Sequence, residues 1–222
     1  MNQRLEKYFT PNENASYIAS NGKRYLVAAI TYKGRKTERA KEAKKQIDRP
    51  AVSIEQTISY ANEFLDAIKR NSPNKFEIDE IELDGKIHKI VGNCIIVKDC
   101  EWKETIWNGP YDTKYDVIKS KFGLENVWDL IWLKFSVNPN TNQKYLGVVA
   151  LGNDINYSYD SSAGKLITEV GHEWDESFVC IFPLTEEILN CKNRRQIETG
   201  IGNYLIAQNV PIIDFYSHNN FE

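Results

Sequence analysis

The chain has 222 residues with 31 acidic against 28 basic side chains, and it is 41% hydrophobic and 12% aromatic. This composition excludes a globally disordered chain, because enough apolar and aromatic surface is present to build a core. No run of about 18 apolar residues occurs, so the sequence predicts neither a transmembrane helix nor a membrane partner. The first residues lack the apolar segment of a secretory signal. The length fits a single compact domain over 1–222.

Residues 2–9 predict a short helix, and 24–32 (RYLVAAITY) has the β-branched and aromatic content of a strand. Residues 36–48 have helical composition but almost no apolar stripe. This pattern predicts either an exposed helix or a mobile basic arm over 33–49.

The best-patterned helix covers 54–70. Ser53 stands at its N-cap with Gln56 three residues on, which is a capping-box spacing. Apolar residues then recur at the intervals of one helix face. Strands are expected at 75–83, 86–91 and 93–97, and the pair Asp84-Gly85 predicts a tight hairpin turn between the first two.

The second half of the chain predicts a group of strands followed by a helix. Strand patterns cover 128–137, 144–151, 155–159, 165–170 and 177–184. A long helix is expected over 185–208 with Thr185 at its N-cap, and a short strand over 210–213. A strand-rich middle between two patterned helices indicates an α+β fold, with a mainly antiparallel sheet on which the helices at 54–70 and 185–208 pack.

The four cysteines do not have the C-x-x-C spacing of a zinc or redox site; they are Cys94, Cys100, Cys180 and Cys191. A chain of this length needs no disulfide to fold, so we expect reduced thiols and a cytoplasmic protein. The sequence is rich in Ile, Lys, Asn and Tyr, whose codons are A/T-rich. This composition favours a low-GC bacterium or one of its mobile elements, such as a phage, as the source.

Basic residues are concentrated in one segment, with ten Lys and Arg against three acids between residues 23 and 49. Such a concentration can bind a polyanion through its charged groups, with release of counterions. The sequence therefore predicts an intracellular binding or inhibitory module that needs no cofactor and engages an anionic macromolecule, either a nucleic acid or an acidic protein surface. The alternative is a solvated helix with ion pairs three residues apart. The predicted binding residues are Arg35, Lys36, Arg39, Lys44 and Lys45.

A carboxylate after one strand and a Glu-x-Lys about 15 residues later form a second candidate: Asp84, Glu101 and Lys103. Two carboxylates provide the oxygen ligands that Mg²⁺ prefers, and a lysine can orient the attacking water. Over about 50 residues this arrangement is similar to the PD-(D/E)xK nucleases, and the resemblance implies a Mg²⁺-dependent nuclease with these three catalytic residues. The alternative is an exposed hairpin turn with unrelated surface charges.

The segment TEVGHEWDES supplies a third candidate, with Glu169, His172 and Glu173. A histidine among carboxylates can serve as acid and base or ligate a metal, although no fixed metal-binding spacing is present. The alternative is a polar hairpin loop between two strands. The sequence has no G-x-S-x-G, Walker or G-x-G-x-x-G motif, which argues against a serine hydrolase or a standard nucleotide-dependent enzyme.

Overall fold

The structure is a computed structural model that describes residues 3–9, 16–18, 24–26, 32–69, 79–83, 85–98, 119–120, 123–152 and 158–215. At 3–4, 16–18, 24–26, 32–38 and 83 it describes the backbone. Within the described ranges, no helix is both long enough and apolar enough to cross a membrane.

Six helices lie in the described part of the chain: α1 (Gln3–Glu6), α2 (Tyr32–Ile47), α3 (Ile54–Lys69), α4 (Ser162–Glu169), α5 (Glu186–Leu189) and α6 (Arg194–Ala207). The strands are β1 (Ser16–Ile18), β2 (Arg24–Leu26), β3 (Glu80–Leu83), β4 (Lys86–Val91), β5 (Cys94–Lys98), β6 (Leu130–Val137), β7 (Lys144–Gly152), β8 (Glu173–Trp174), β9 (Phe178–Pro183) and β10 (Ile212–Asp214).

Strands β3–β10 form one sheet. Seven of them lie in the order β10-β7-β6-β9-β5-β4-β3, and β8 pairs with the C-terminal end of β6. The pairings described within this sheet are antiparallel except for β10 against β7, which is parallel. Strands β1 and β2 form a separate antiparallel pair. The predicted α+β fold with a mainly antiparallel sheet is confirmed.

The sheet has helices on both faces, because successive side chains of a strand point in opposite directions. In β6, Leu133 and Phe135 pack with α1, α3, α5 and α6, whereas Trp132 packs with α2 and α4. Helix α3 has the predicted cap, since the Ser53 hydroxyl accepts a hydrogen bond from the Gln56 amide at 3.1 Å. Helices α3 and α6, which lie within the predicted helices at 54–70 and 185–208, pack against each other on the face of the sheet that carries Leu133 and Phe135.

Two predicted elements are wrong. Residues 162–169 form helix α4 rather than a strand at 165–170, because the Ser161 side chain accepts a hydrogen bond from the Gly164 amide and starts the helix. The long helix over 185–208 is two helices, because Asn193 and Gln196 form a capping box that starts α6 anew. The predicted strand at 155–159 lies largely outside the described residues.

Candidate functional site

Helix α2 carries the predicted basic segment, and it lies against β10 and α4 on one face of the sheet. Of the two predictions for this segment, an exposed helix or a mobile arm, the structure has a helix at Tyr32–Ile47, but one side of this helix is buried. Ala40 and Ala43 are buried in the same cluster as Ile213 of β10. Two small side chains form this inner stripe, which explains why no apolar pattern was visible in the sequence.

Arg39 fixes the middle of α2 to the two neighbouring elements. Its guanidinium donates a hydrogen bond to the Ser162 hydroxyl at 2.6 Å, at the start of α4. It also forms an ion pair with the carboxylate of Asp214 on β10. The two side chains of the ion pair are only 19% and 11% exposed, so Arg39 is held inside the fold and does not face a partner.

Tyr145 of β7 fixes the other end of α2. Its hydroxyl lies 2.8 Å from the carbonyl oxygen of Ile47, the last residue of α2, and 2.9 Å from that of Arg49, two residues beyond the helix. Burial, together with the charge of Asp48, raises the pKa of Tyr145, so the hydroxyl remains a donor at neutral pH. The two attachments join α2 to the sheet at its middle and at its end.

The outer side of α2 presents Lys41, Lys44 and Lys45, which we call the basic face. These residues are exposed and stand at positions i, i+3 and i+4, so they lie on one side of the helix. Lys45 also pairs with Glu42 at 3.2 Å, as the alternative interpretation predicts.

The predicted binding residues are thus not equivalent. Lys44 and Lys45 belong to the basic face, whereas Arg39 is paired internally. Arg35 and Lys36 lie in the first half of α2, where the structure describes the backbone. Lys41 was not among the predicted residues, and its position three residues before Lys44 was the signal that would have included it.

Residues 112–222 carry 15 acidic against nine basic side chains, and this acidic half of the sequence is not remote from the basic face. Helix α4, from that half, packs beside α2. Glu169 at the end of α4 and Glu173 of β8 are both exposed. The basic face therefore lies in the same helical layer as the exposed carboxylate of Glu169.

His172 is buried, although the sequence placed it in a polar loop. Its Nδ1 lies 3.1 Å from the Ser136 hydroxyl, and its ring centre is 5.6 Å from that of Tyr145. Burial lowers the pKa of His172, so the imidazole is neutral at neutral pH. Glu169 and Glu173 are exposed, whereas His172 between them is buried, so the three side chains do not form one surface site. The described ranges contain no group of three His, Cys, Asp or Glu residues placed to hold a metal ion.

Next to His172, the segment 173–178 is organised by Asp175, which belongs to the candidate segment TEVGHEWDES, and by two lysines that the sequence did not single out, Lys134 and Lys144. Asp175 forms an ion pair with Lys144 at 2.5 Å and accepts hydrogen bonds from Ser177. Burial disfavours ionisation of Asp175, but the hydrogen bonds from Lys144 and Ser177 outweigh it, so its pKa lies below the usual value. The buried Lys134 of β6 donates to the carbonyl oxygens of Asp175 and Phe178. A lysine inside the apolar run LIWLKFSV was the signal for this arrangement.

The predicted nuclease residues Asp84, Glu101 and Lys103 lie outside the described residues. Comparisons with protein-family models, with curated proteins and with solved structures find no match for this chain.

Proposed function

We propose that this protein is a binding module that engages an anionic macromolecule, a nucleic acid or an acidic protein surface, through the basic face of α2. One observation carries the proposal: Lys41, Lys44 and Lys45 are exposed on one side of a helix whose opposite side is attached to the sheet. Cations presented in this way can neutralise a row of phosphates or carboxylates, with release of counterions.

The surroundings of the basic face support a selective contact. Asp48, one residue after the end of α2, and Glu169, at the end of the neighbouring helix α4, are exposed carboxylates. These groups repel an anionic partner that extends beyond α2, and like-charge contacts of this kind exclude wrong partners. The basic face is thus suited to a partner whose negatively charged region is no longer than α2.

We place this module in the cytoplasm. Cys94 and Cys180 lie on the paired strands β5 and β9, and both are free thiols, as is Cys191. Burial, together with the neighbouring Cys180, raises the pKa of the Cys94 thiol, which keeps it protonated. Unreactive buried thiols of this kind suit a reducing compartment.

Fluorescence anisotropy with a short DNA duplex, and separately with a polyglutamate peptide, tests the proposal. The triple variant Lys41→Gln, Lys44→Gln, Lys45→Gln should bind about tenfold more weakly at low salt. Its log–log salt slope on the duplex should fall by up to about 0.9 per lysine removed.

The matched control is Lys7→Gln, Lys89→Gln, Lys98→Gln, which removes three exposed lysines that lie outside α2 and changes the net charge equally. The control should retain nearly all of the affinity. An equal loss in both variants would show that net charge alone governs binding, and unchanged binding by the first variant would reject the basic face.

A Mg²⁺-dependent nuclease with Asp84, Glu101 and Lys103 is the second proposal. One feature of the described residues favours it: Leu83 at the end of β3 and Lys98 at the end of β5 lie at the same end of the sheet, because β4 runs antiparallel to both strands. The segments that carry the three residues follow directly from these two positions.

A further inference from the structure

The second half of α2, residues 39–47, is held on the sheet by little apolar contact. In this half Ala40, Ala43 and Gln46 are buried, and Ile47 is partly buried against the same cluster. The second half of α3, residues 61–69, buries Ala61, Phe64, Leu65 and Ile68. Because hydrophobic stabilisation follows the apolar area removed from water, the described half of α2 gains less from docking than the same half of α3 does.

Polar contacts provide the other described attachments of α2 to its neighbours. Arg39 joins Ser162 and Asp214, and the Tyr145 hydroxyl contacts the carbonyl oxygens of Ile47 and Arg49. An ion pair whose partners are mostly shielded from water is stronger than an exposed pair, because the surrounding dielectric constant is lower. The pair between Arg39 and Asp214 is therefore the strongest described attachment in the middle of the helix.

Helix α2 has little reason to persist away from the sheet. Isolated helices shorter than about 12–15 residues are marginal in water even with favourable residues. At sixteen residues α2 is little longer, and it includes Gly34 and closely spaced basic residues. Loss of docking and loss of the helix should therefore occur together, as one local unfolding event.

We propose that α2 is a releasable element of this fold and that the ion pair between Arg39 and Asp214 sets how often it is released. When the pair breaks, α2 leaves the sheet and uncovers Ile213 of β10, while the opposite face of the sheet keeps its helices. The structure thus contains a local opening that is separate from global unfolding.

Hydrogen exchange measured by mass spectrometry tests the release. In Asp214→Asn, amides of residues 40–47 should exchange about tenfold faster than in the unmodified protein, with α3 and β6 unchanged. The matched control is Asp129→Asn, which removes another Asp–Arg pair, with Arg194 at 2.7 Å, far along the chain from α2. Unchanged exchange in α2 of Asp214→Asn, or equal acceleration in all elements, would overturn the proposal.

A second variant protects the test if Asp214→Asn does not fold. Arg39→Gln breaks the same ion pair from the other side and should also accelerate exchange in α2. The double variant Arg39→Gln, Asp214→Asn should then exchange no faster than either single variant, because both remove one interaction. Additive acceleration would show that the two residues act independently and would overturn the role of the pair.

Release also regulates the basic face, and this extension rests on the proposed function. Because α2 unfolds when it is released, Arg39 no longer pairs with Asp214 and becomes the fourth cation of one unfolded basic segment, with Lys41, Lys44 and Lys45. Asp214→Asn should therefore steepen the log–log salt slope for a short DNA duplex by about 0.9. Faster exchange with an unchanged slope would keep the releasable element and reject its regulatory role. Failure of the lysine variants described above to weaken binding would instead reject the proposed function.

Discussion

The Nζ atom of Lys134 lies 2.7 Å from the carbonyl oxygen of Phe178, and the whole side chain is buried within the sheet. The same ammonium group donates to the carbonyl oxygen of Asp175. A positive group thus occupies the inside of the 175–178 segment and donates to two of its carbonyl oxygens. The lysine organises this segment much as a bound cation would.

Replacing Lys134 by Met should therefore destabilise the fold, although Met keeps the apolar stem. Two buried carbonyls lose their donor, and we expect the free energy of unfolding to fall by about 2 kcal/mol. Urea unfolding measures this change. Lys89→Met, at an exposed position of β4, should change it by less than about 0.5 kcal/mol. A Lys134 variant as stable as the unmodified protein would contradict the role assigned to the ammonium group.

The N-caps of α5 and α6 offer a second comparison. Asn193 accepts a hydrogen bond from the Gln196 amide at 3.0 Å, whereas Thr185, at the N-cap of α5, makes no side-chain capping bond. Asn193→Ala should cost about 1 kcal/mol of stability, and Thr185→Ala should cost much less. Thermal unfolding of the two variants tests this difference. Equal losses would mean that the capping box does not stabilise α6.

Stability should depend on pH through His172. Burial lowers its pKa from 6.5 in the folded state, so the unfolded chain binds more protons once the pH falls below that value. The contribution of the neutral imidazole is fully present above about pH 6.5 and is lost as the pH falls through the folded-state pKa. Urea unfolding between about pH 7.5 and 5 should show this decline. In His172→Gln the decline should be smaller, and an identical pH dependence would contradict the assignment.

The nuclease proposal makes a separate prediction. Any Mg²⁺-dependent cleavage of DNA by the purified protein should be lost in Glu101→Ala and in Lys103→Ala, since one change removes a metal ligand and the other the group that orients water. Glu80→Ala, at an exposed position of β3, is the control. Cleavage that persists in both variants, or that needs no divalent cation, would reject these residues as the catalytic set.

Local sequence patterns were sufficient to predict the helices, caps and turns whose stabilising contacts join residues close together in the sequence. The amphipathic pattern of α3, its Ser53 cap and the hairpin turn between β3 and β4 all depend on residues only a few positions apart in the sequence. The fold class followed from the order of these elements. Helix α4 was missed because Leu166 and Ile167, which are buried in it, also suit a short strand.

The site was less predictable, because long-range contacts decide it. Whether a basic residue of α2 is exposed or paired depends on Asp214, which is 175 residues away in the sequence. Composition gave the position of the basic segment, but it treated Arg39 and Lys44 alike. Likewise, the separation of basic and acidic halves along the chain disappeared when α4 packed beside α2.

The same separation has a consequence for synthesis on the ribosome. Arg39 is translated 175 residues before Asp214, which at about 5–20 residues per second means a delay of roughly 10–35 s. Strand β10, which carries Asp214 and lies at the edge of the sheet, is also completed only at that point. During elongation, the lysines of α2 are therefore presented by a segment that still lacks one of its docking partners, strand β10. The nascent chain passes through a long interval in which this basic segment lies beside the polyanionic ribosome, before the folded protein can withdraw Arg39 from it.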